Sequence, residues 1–252
     1  MSARRDSRVA IRTPEYYRRL AAYEAADPWA RTMADWSEQL IRQYAQQTTE
    51  ATWLDVGCGA GGFLGRTQAS RRIGLDVDST ALETAAQQTS AALAQAAAEA
   101  LPVASETVDV VTSHDVLQHA PAASLAEAIR VLRPGGLLVL RTATRRGLLW
   151  GKHVDSHDYR QWTPAELQGI CRESNVEILF LARVNALPSL IRDLAALVRG
   201  ERPSGDAGLP PTPQDPDWKQ TLLRAYWRVE RACLWAGLRP PWGHSLLLAA
   251  RK

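Results

Sequence analysis

Trp53-Leu54-Asp55-Val56 is a largely apolar segment that runs without a break into Gly57-Cys58-Gly59-Ala60-Gly61-Gly62 and then Phe63. A short apolar run that ends in a glycine-rich turn marks a strand handing over to a helix, with a ligand held at the turn. Glycine suits such a turn for two reasons: a Cβ would collide with a ligand lying on bare backbone, and the turn can require positive φ. The chain next reaches Ile73-Gly74-Leu75-Asp76. This second short strand ends in a carboxylate roughly 20 residues after the turn, where it can accept hydrogen bonds from ribose hydroxyls. Together these elements point to an adenosine cofactor. They leave its class open, because Gly57, Gly59 and Gly62 also satisfy the GxGxxG of nicotinamide dehydrogenases.

The rest of the chain alternates in the same way. Val108 to Ser113, Leu137 to Leu140, Val176 to Leu181 and Ser245 to Ala250 read as further strands. Ala-rich Thr80 to Ala92, amphipathic Leu125 to Leu132, Pro164 to Glu173 and Pro188 to Val198 read as helices between them, and Pro134-Gly135-Gly136 turns the second of these into the next strand. Such alternation predicts a parallel α/β sheet. Ahead of it, Tyr17, Leu20, Ala21, Trp29, Met33, Trp36, Leu40 and Tyr44 recur at mostly helical spacing, broken at Asp27-Pro28, so two helices are expected. The proline-rich stretch from Gly200 to Asp217 excludes regular structure and reads as a surface loop. Leu222, Tyr226, Val229 and Cys233 return to helical spacing after it.

Composition narrows the classes. With 46% hydrophobic and 23% charged residues over 252 positions, the chain is an ordinary globular one. A formal charge of +3 is too small for an obligate nucleic-acid binder, and the arginines before residue 20 read as a solvated face. Cys58, Cys171 and Cys233 form no CxxC pair, which predicts neither a zinc site nor a disulfide framework and fits a reducing cytoplasm. The apolar runs are far short of the ~20 residues that cross a bilayer, and no secretory leader is legible, so no membrane partner is expected.

From residue 54 to residue 61 the chain reads Leu-Asp-Val-Gly-Cys-Gly-Ala-Gly. It resembles there the first motif of the class I S-adenosylmethionine-dependent methyltransferases. Asp55 favours this family over the dehydrogenases, since a carboxylate so near the turn would repel a pyrophosphate. The resemblance continues through Glu99-Ala100-Leu101-Pro102, Val108-Asp109-Val110-Val111, Arg130 to Gly136, Thr163 to Leu167 and Gly243 to Leu246, in family order. It implies a Rossmann-like α/β fold whose seven-stranded, mostly parallel sheet has a reversed last strand and is flanked by helices. Residues 1–48 are then an N-terminal helical lid segment, and 49–252 the methyltransferase domain with a helical insert at 186–238 completing the lid. S-adenosylmethionine is the implied cofactor. By that resemblance Asp55 helps hold its methionine ammonium, Gly57, Cys58 and Gly59 bind it at the turn, Asp76 takes the ribose hydroxyls, Val77 packs on the adenine bordered by the Ala98-Glu99 loop, and Ser113 and His114 face the methionine part and the transferred methyl.

Methyl transfer from a sulfonium is an in-line displacement, so alignment supplies up to roughly 7 to 11 kcal/mol of the help. A phenol of pKa ~10 also needs ionising, at a cost near 4 kcal/mol at pH 7, which a histidine can reduce. His114 and His119 are the candidate bases. Asp115 to His119, His157-Asp158-Tyr159 and Pro164 to Leu167 are similar to the ubiquinone-biosynthesis type of small-molecule O-methyltransferase, which implies a phenolic or other aromatic acceptor. Some relatives place two glutamates and a histidine at the turn after the fourth strand. Here Asp115, Gln118 and His119 stand there, and no metal is expected. Trp29, Trp150, His153, His157 and Trp162 are the candidate acceptor wall, and a monomer or homodimer the expected state. N- or C-methylation, a non-catalytic S-adenosylmethionine-binding protein and, more remotely, an NAD-dependent oxidoreductase remain as alternatives.

Overall fold

A computed structural model describes residues 13–45, 50–67, 69–144, 160–199 and 217–252. Two helices open it, α1 (Pro14–Ala26) and α2 (Pro28–Tyr44), and the break between them is chemical. The Asp27 carboxylate caps α2 by accepting from the Trp29 and Ala30 amides at 2.9 and 3.0 Å, and Pro28 takes the first helical position, where no N–H is needed. The sheet follows as β1 (Thr52–Val56), α3 (Gly62–Arg66), β2 (Arg71–Asp76), α4 (Ser79–Ala85), β3 (Ala92–Gln95), β4 (Val108–His114), α5 (Ala123–Val131) and β5 (Leu132–Ala143). After residues 145–159 come α6 (Pro164–Glu173), β6 (Glu177–Val184), α7 (Ala186–Val198), α8 (Asp217–Trp235) and β7 (Ser245–Arg251).

The seven strands form one sheet in the order β3-β2-β1-β4-β5-β7-β6. All pairs from β3 to β5 are parallel, whereas β7 runs antiparallel to both β5 and β6. This is the implied architecture, reversed last strand included. The order reverses between β1 and β4, and the carboxyl ends of these two strands are where a doubly wound sheet leaves a crevice.

The central strands are apolar on both faces because both are covered. Leu54, Val56, Val111, Leu138, Leu140, Leu246 and Leu248 point to the α5 and α6 side, with Leu125, Ile129, Leu167 and Cys171. Their neighbours Trp53, Val110, Leu137, Val139, Leu247 and Ala249 point the other way, against Met33, Trp36, Leu40 and Ile41 of α2 and Trp227 and Leu234 of α8. Thus α2 and α8 are a structural layer on one sheet face.

Two local expectations are corrected. Helix α4 stops at Ala85, and the Ala-rich stretch beyond it supplies edge strand β3, paired with β2 from Ile73↔Ala92 to Asp76↔Gln95. Alanine is a good helix former, but propensity is a weak determinant, and pairing with β2 at the sheet edge overrides it. Leu132 to Gly136 belong to β5, with a register shift opposite Val108 and Val110, instead of forming a separate turn after α5. The proline-rich loop expected at 200–217 lies, except for its last residue, outside the described residues.

Candidate active site

The glycine turn joins β1 to α3, and its backbone is left-handed at Gly57, Gly59 and Gly61, with φ of 73, 52 and 81°. Positive φ is therefore one reason for glycine here. The other differs from the expectation. The space that a Cβ on Gly57 would enter is filled by the Val116 methyls, and that beside Gly62 by the Glu24 carboxylate, so the protein's own side chains press on the turn there. The Gly57 and Cys58 amides both donate to the Leu75 carbonyl, at 2.7 and 2.9 Å, which ties the turn to β2. The Cys58 side chain is buried, and its Sγ lies 2.9 Å from the Cβ position of Gly74, so only the Cys58 backbone is offered to a ligand.

Asp76 ends β2 and locks the turn to the α4 side. Its Oδ2 accepts from the Gly59 amide at 2.9 Å and its Oδ1 from the Asp78 amide at 3.0 Å. Each oxygen keeps acceptor capacity for a hydroxyl. Burial pushes the Asp76 carboxyl above its ordinary pKa against the pull of these amides. Beside it Val77 is 50% exposed, an apolar face free for a flat ring. Ala98 packs partly against the core, and Glu99 is exposed.

Asp55 is buried in β1 with its Oδ1 accepting from Thr112 Oγ1 at 2.7 Å, and Thr112 in turn accepts from Trp53 Nε1 at 3.0 Å. Burial raises the Asp55 pKa to about 7, the Thr112 hydrogen bond opposes the rise, and the Asp76 charge adds to it. A cation placed here would stabilise the carboxylate. These residues fit S-adenosylmethionine: an acceptor pair for a ribose, an apolar rim for an adenine, and buried negative charge for an ammonium.

At the end of β4, Ser113 is buried and His114 is held on both sides. Its Nε2 lies 2.9 Å from Ser37 Oγ of α2, and its ring meets Phe63 edge-on at 4.4 Å. Burial and the nearby Arg141 charge depress its pKa to about 3, so the ring is neutral. His119 is exposed on the following turn. Gln118, at the position considered for a metal, is buried with Oε1 accepting from Thr142 Oγ1 and the Ala143 amide, and so pins β5. No cluster of metal-binding side chains occurs among the described residues.

Of the expected acceptor wall, Trp29 and Trp162 lie among the described residues. Trp162 is fully buried among Leu117, Leu125 and Leu167, with its indole N–H donating to the Leu117 carbonyl at 3.0 Å. It is a core residue, which corrects its assignment to a wall. Trp29 packs on Trp227 of α8 with ring centroids 5.5 Å apart. Trp150, His153 and His157 lie outside the described residues.

Two features escaped the sequence. Arg141, near the end of β5 and opposite His114 in register, pairs with Asp115, its Nε 3.1 Å from Oδ2. Burial alone would raise the Asp115 pKa, but the guanidinium outweighs it and holds the carboxyl below its ordinary value. The second is α1, which packs on α3 and α4 with Leu20 over Gly59 and the Tyr17 hydroxyl donating to Asp78 at 3.1 Å. A guanidinium whose partner follows a neighbouring strand and a helix laid on the turn carry no local motif.

Residues 54–140 match the family described as "Methyltransferase domain". The chain is 32% identical over 183 residues to a malonyl-[acyl-carrier protein] O-methyltransferase of Hahella chejuensis, covering 62% of this chain and 64% of that protein. It is 31% identical over 147 residues to a ubiquinone biosynthesis O-methyltransferase of Cereibacter sphaeroides, covering 49% of this chain and 59% of that one. The chain thus spans less than two thirds of the length of these curated relatives. Among solved structures, a chain of the Haloferax volcanii complex between the Trm112 methyltransferase activator and a putative methyltransferase superposes with a TM-score of 0.58 at 21% identity, covering 96% of this chain and 97% of that one. That likeness concerns the fold. No described helix is long and apolar enough to cross a membrane. The glycine turn, Asp76 at the end of β2 and the reversed last strand resemble those of the class I S-adenosylmethionine-dependent methyltransferases, and the methyltransferase-domain match covers residues 54–140.

Proposed function

We propose that the protein transfers a methyl group from S-adenosylmethionine to an oxygen of a small, aromatic or apolar acceptor, a phenol first among them. The observation that carries the cofactor half is the Asp55, Gly57 to Gly59 and Asp76 constellation inside the family-matched segment. The oxygen half is supported by two relatives whose names both say O-methyltransferase.

When bound, S-adenosylmethionine supplies a methyl on a positively charged sulfur. Asp76 receives the ribose, Val77 the adenine face, and Asp55 the ammonium. On the acceptor side the chain offers Arg141, a cation close to the His114 end of β4, to stabilise an anionic acceptor oxygen. His114 is a poor base for a phenol, because a ring with pKa about 3 would take the proton only at a cost near 10 kcal/mol. It serves instead to hold α2 to β4 through Ser37. His119 would meet an acceptor only at the rim of the site. The lid proposed is α1 with α7 of the insert, where Leu187, Ile191 and Leu194 are exposed, while α8 stays with the sheet. The reducing cytoplasm is the compartment proposed, supported by three cysteines that are all unpaired.

The test is calorimetric titration with S-adenosylhomocysteine and, separately, NAD, followed by a screen of phenols for release of S-adenosylhomocysteine. Binding of S-adenosylhomocysteine alone and turnover of a phenol are expected. Binding of NAD would overturn the cofactor, and turnover of amines only would overturn the oxygen acceptor.

A further inference from the structure

Helix α1 places a carboxylate at the glycine turn. Glu24 Oε2 is shut off from solvent and makes no well-formed hydrogen bond; it sits against Gly62, where no side chain stands in its way and where the backbone amide offers the carboxylate a weak partner. A carboxylate oxygen so poorly satisfied costs free energy unless a better partner arrives. The groups that act on it are Asp55 of β1, Asp115 after β4, Arg141 of β5 and the Gly62 amide of α3, and Tyr16 of α1 and Cys58 of the turn feel its charge in return. Burial and the Asp55 charge raise the Glu24 pKa to about 7, against Arg141 and the Gly62 amide. Two carboxylates thus face one another at the turn, and Arg141 is already committed to Asp115.

We propose that Glu24 is a second counter-ion for the methionine ammonium of the bound S-adenosylmethionine, delivered across the turn from Asp55 by α1. This rests on the cofactor reading above. The ammonium is the better partner than the sulfonium because its charge persists through methyl transfer. Pairing with it strengthens binding equally in the ground and transition states, whereas a carboxylate on the sulfonium would stabilise the charge that the reaction removes. Tyr17, hydrogen-bonded to Asp78, is the positioning residue that fixes α1 at this height.

The experiment is calorimetric titration of the full chain and of Glu24→Gln with three probes. S-adenosylmethionine carries both cations, S-adenosylhomocysteine keeps only the ammonium, and 5′-methylthioadenosine lacks the amino-acid part. Glu24→Gln is expected to weaken the first two alike, by about ten- to hundred-fold as for a hydrogen bond to a charged group, and to leave 5′-methylthioadenosine unchanged. Thermal melting of the ligand-free variant checks the fold, and no loss is expected, since the substitution removes a poorly satisfied buried carboxylate. An equal loss for all three probes, no loss for any, or a loss confined to S-adenosylmethionine would each overturn the assignment. If wild type binds none of the probes, the cofactor reading itself falls, and this inference with it.

Discussion

Replacing Gly57 by alanine separates the two reasons for glycine at the turn. A left-handed L-residue costs about 1–2 kcal/mol, and Gly57 has φ 73°. The new methyl would also run into Val116 Cγ2, with Cγ1 at 3.1 Å and Cβ at 3.2 Å, and overpacking of this kind costs about 1–3 kcal/mol. Gly57→Ala should therefore lose about 2–5 kcal/mol in urea unfolding. In a Val116→Ala background both Cγ atoms are gone and only the 3.2 Å contact remains, which a shift of a few tenths of an ångström relieves. The same Gly57→Ala step should then cost only about 1–2 kcal/mol, the conformational part. Gly59→Ala serves as a reference, since its nearest neighbour would be Leu20 at 3.4 Å, an ordinary contact, and its cost should match the relieved value. Titration with S-adenosylhomocysteine should show affinity falling in Gly57→Ala and returning in the double variant. An equal penalty in both backgrounds would refute the steric half of the reasoning.

Asp76→Ala strips the Gly59 and Asp78 amides of their acceptor as well as removing the ribose contact, so calorimetry should find S-adenosylhomocysteine affinity at least a hundred-fold weaker. Trp162→Phe leaves the buried Leu117 carbonyl unpaired and should cost about 1–3 kcal/mol in urea unfolding, with cofactor affinity unchanged once folded. The acid pair sets a pH dependence. Asp55 and Glu24, both raised to about 7, hold protons in the folded, ligand-free chain that the unfolded chain has released above about pH 4, so stability falls as pH rises from 4 to 7. Cation binding needs them ionised, so S-adenosylhomocysteine affinity should fall as pH drops below 7, and a flat profile from pH 5 to 8 would contradict this role.

How far the sequence speaks depends on where each constraint resides. The central strands were legible because a strand buried on both faces is almost continuously apolar, as in Leu137 to Leu140 and Leu246 to Ala250. The turn was legible because positive φ leaves glycine with few substitutes. β3 was hidden because an edge strand written Ala-Leu-Ala-Gln, with most of its residues exposed, has helical composition and draws its strand character from β2. Trp162 was misplaced because a large aromatic near a loop looks the same whether it lines a pocket or fills the core; only the packing around it decides. Glu24 and Arg141 were missed for a common reason. Each lies on an element whose local pattern is satisfied without it, and its significance arises from elements far away in sequence, Gly62 for the first and Asp115 for the second.

The charges so assembled fall into two groups that suit the two ends of a methyl transfer. Glu24, Asp55 and Asp76 gather carboxyl groups at the turn, and Arg141 stands toward the end of β5, the side proposed for the acceptor. Its effect on an acceptor oxygen is double-edged. A guanidinium lowers the pKa of a phenol and so raises the ionised fraction, but it also stabilises the anion that must attack. The gain is bounded by the ionisation deficit, near 4 kcal/mol for a pKa ~10 phenol at pH 7, and it disappears once the solution ionises the acceptor. The Asp115 partner offsets part of the guanidinium's charge and so makes the gain smaller than that bound. Arg141→Gln, tested beside Asp115→Asn to control for the orphaned carboxylate, should therefore slow methylation of a phenol most at pH 7 and progressively less toward pH 10. A rate deficit that stays constant across that range would mean that Arg141 acts only on the shape of the β4 turn, and the acceptor's ionisation would have to be managed elsewhere.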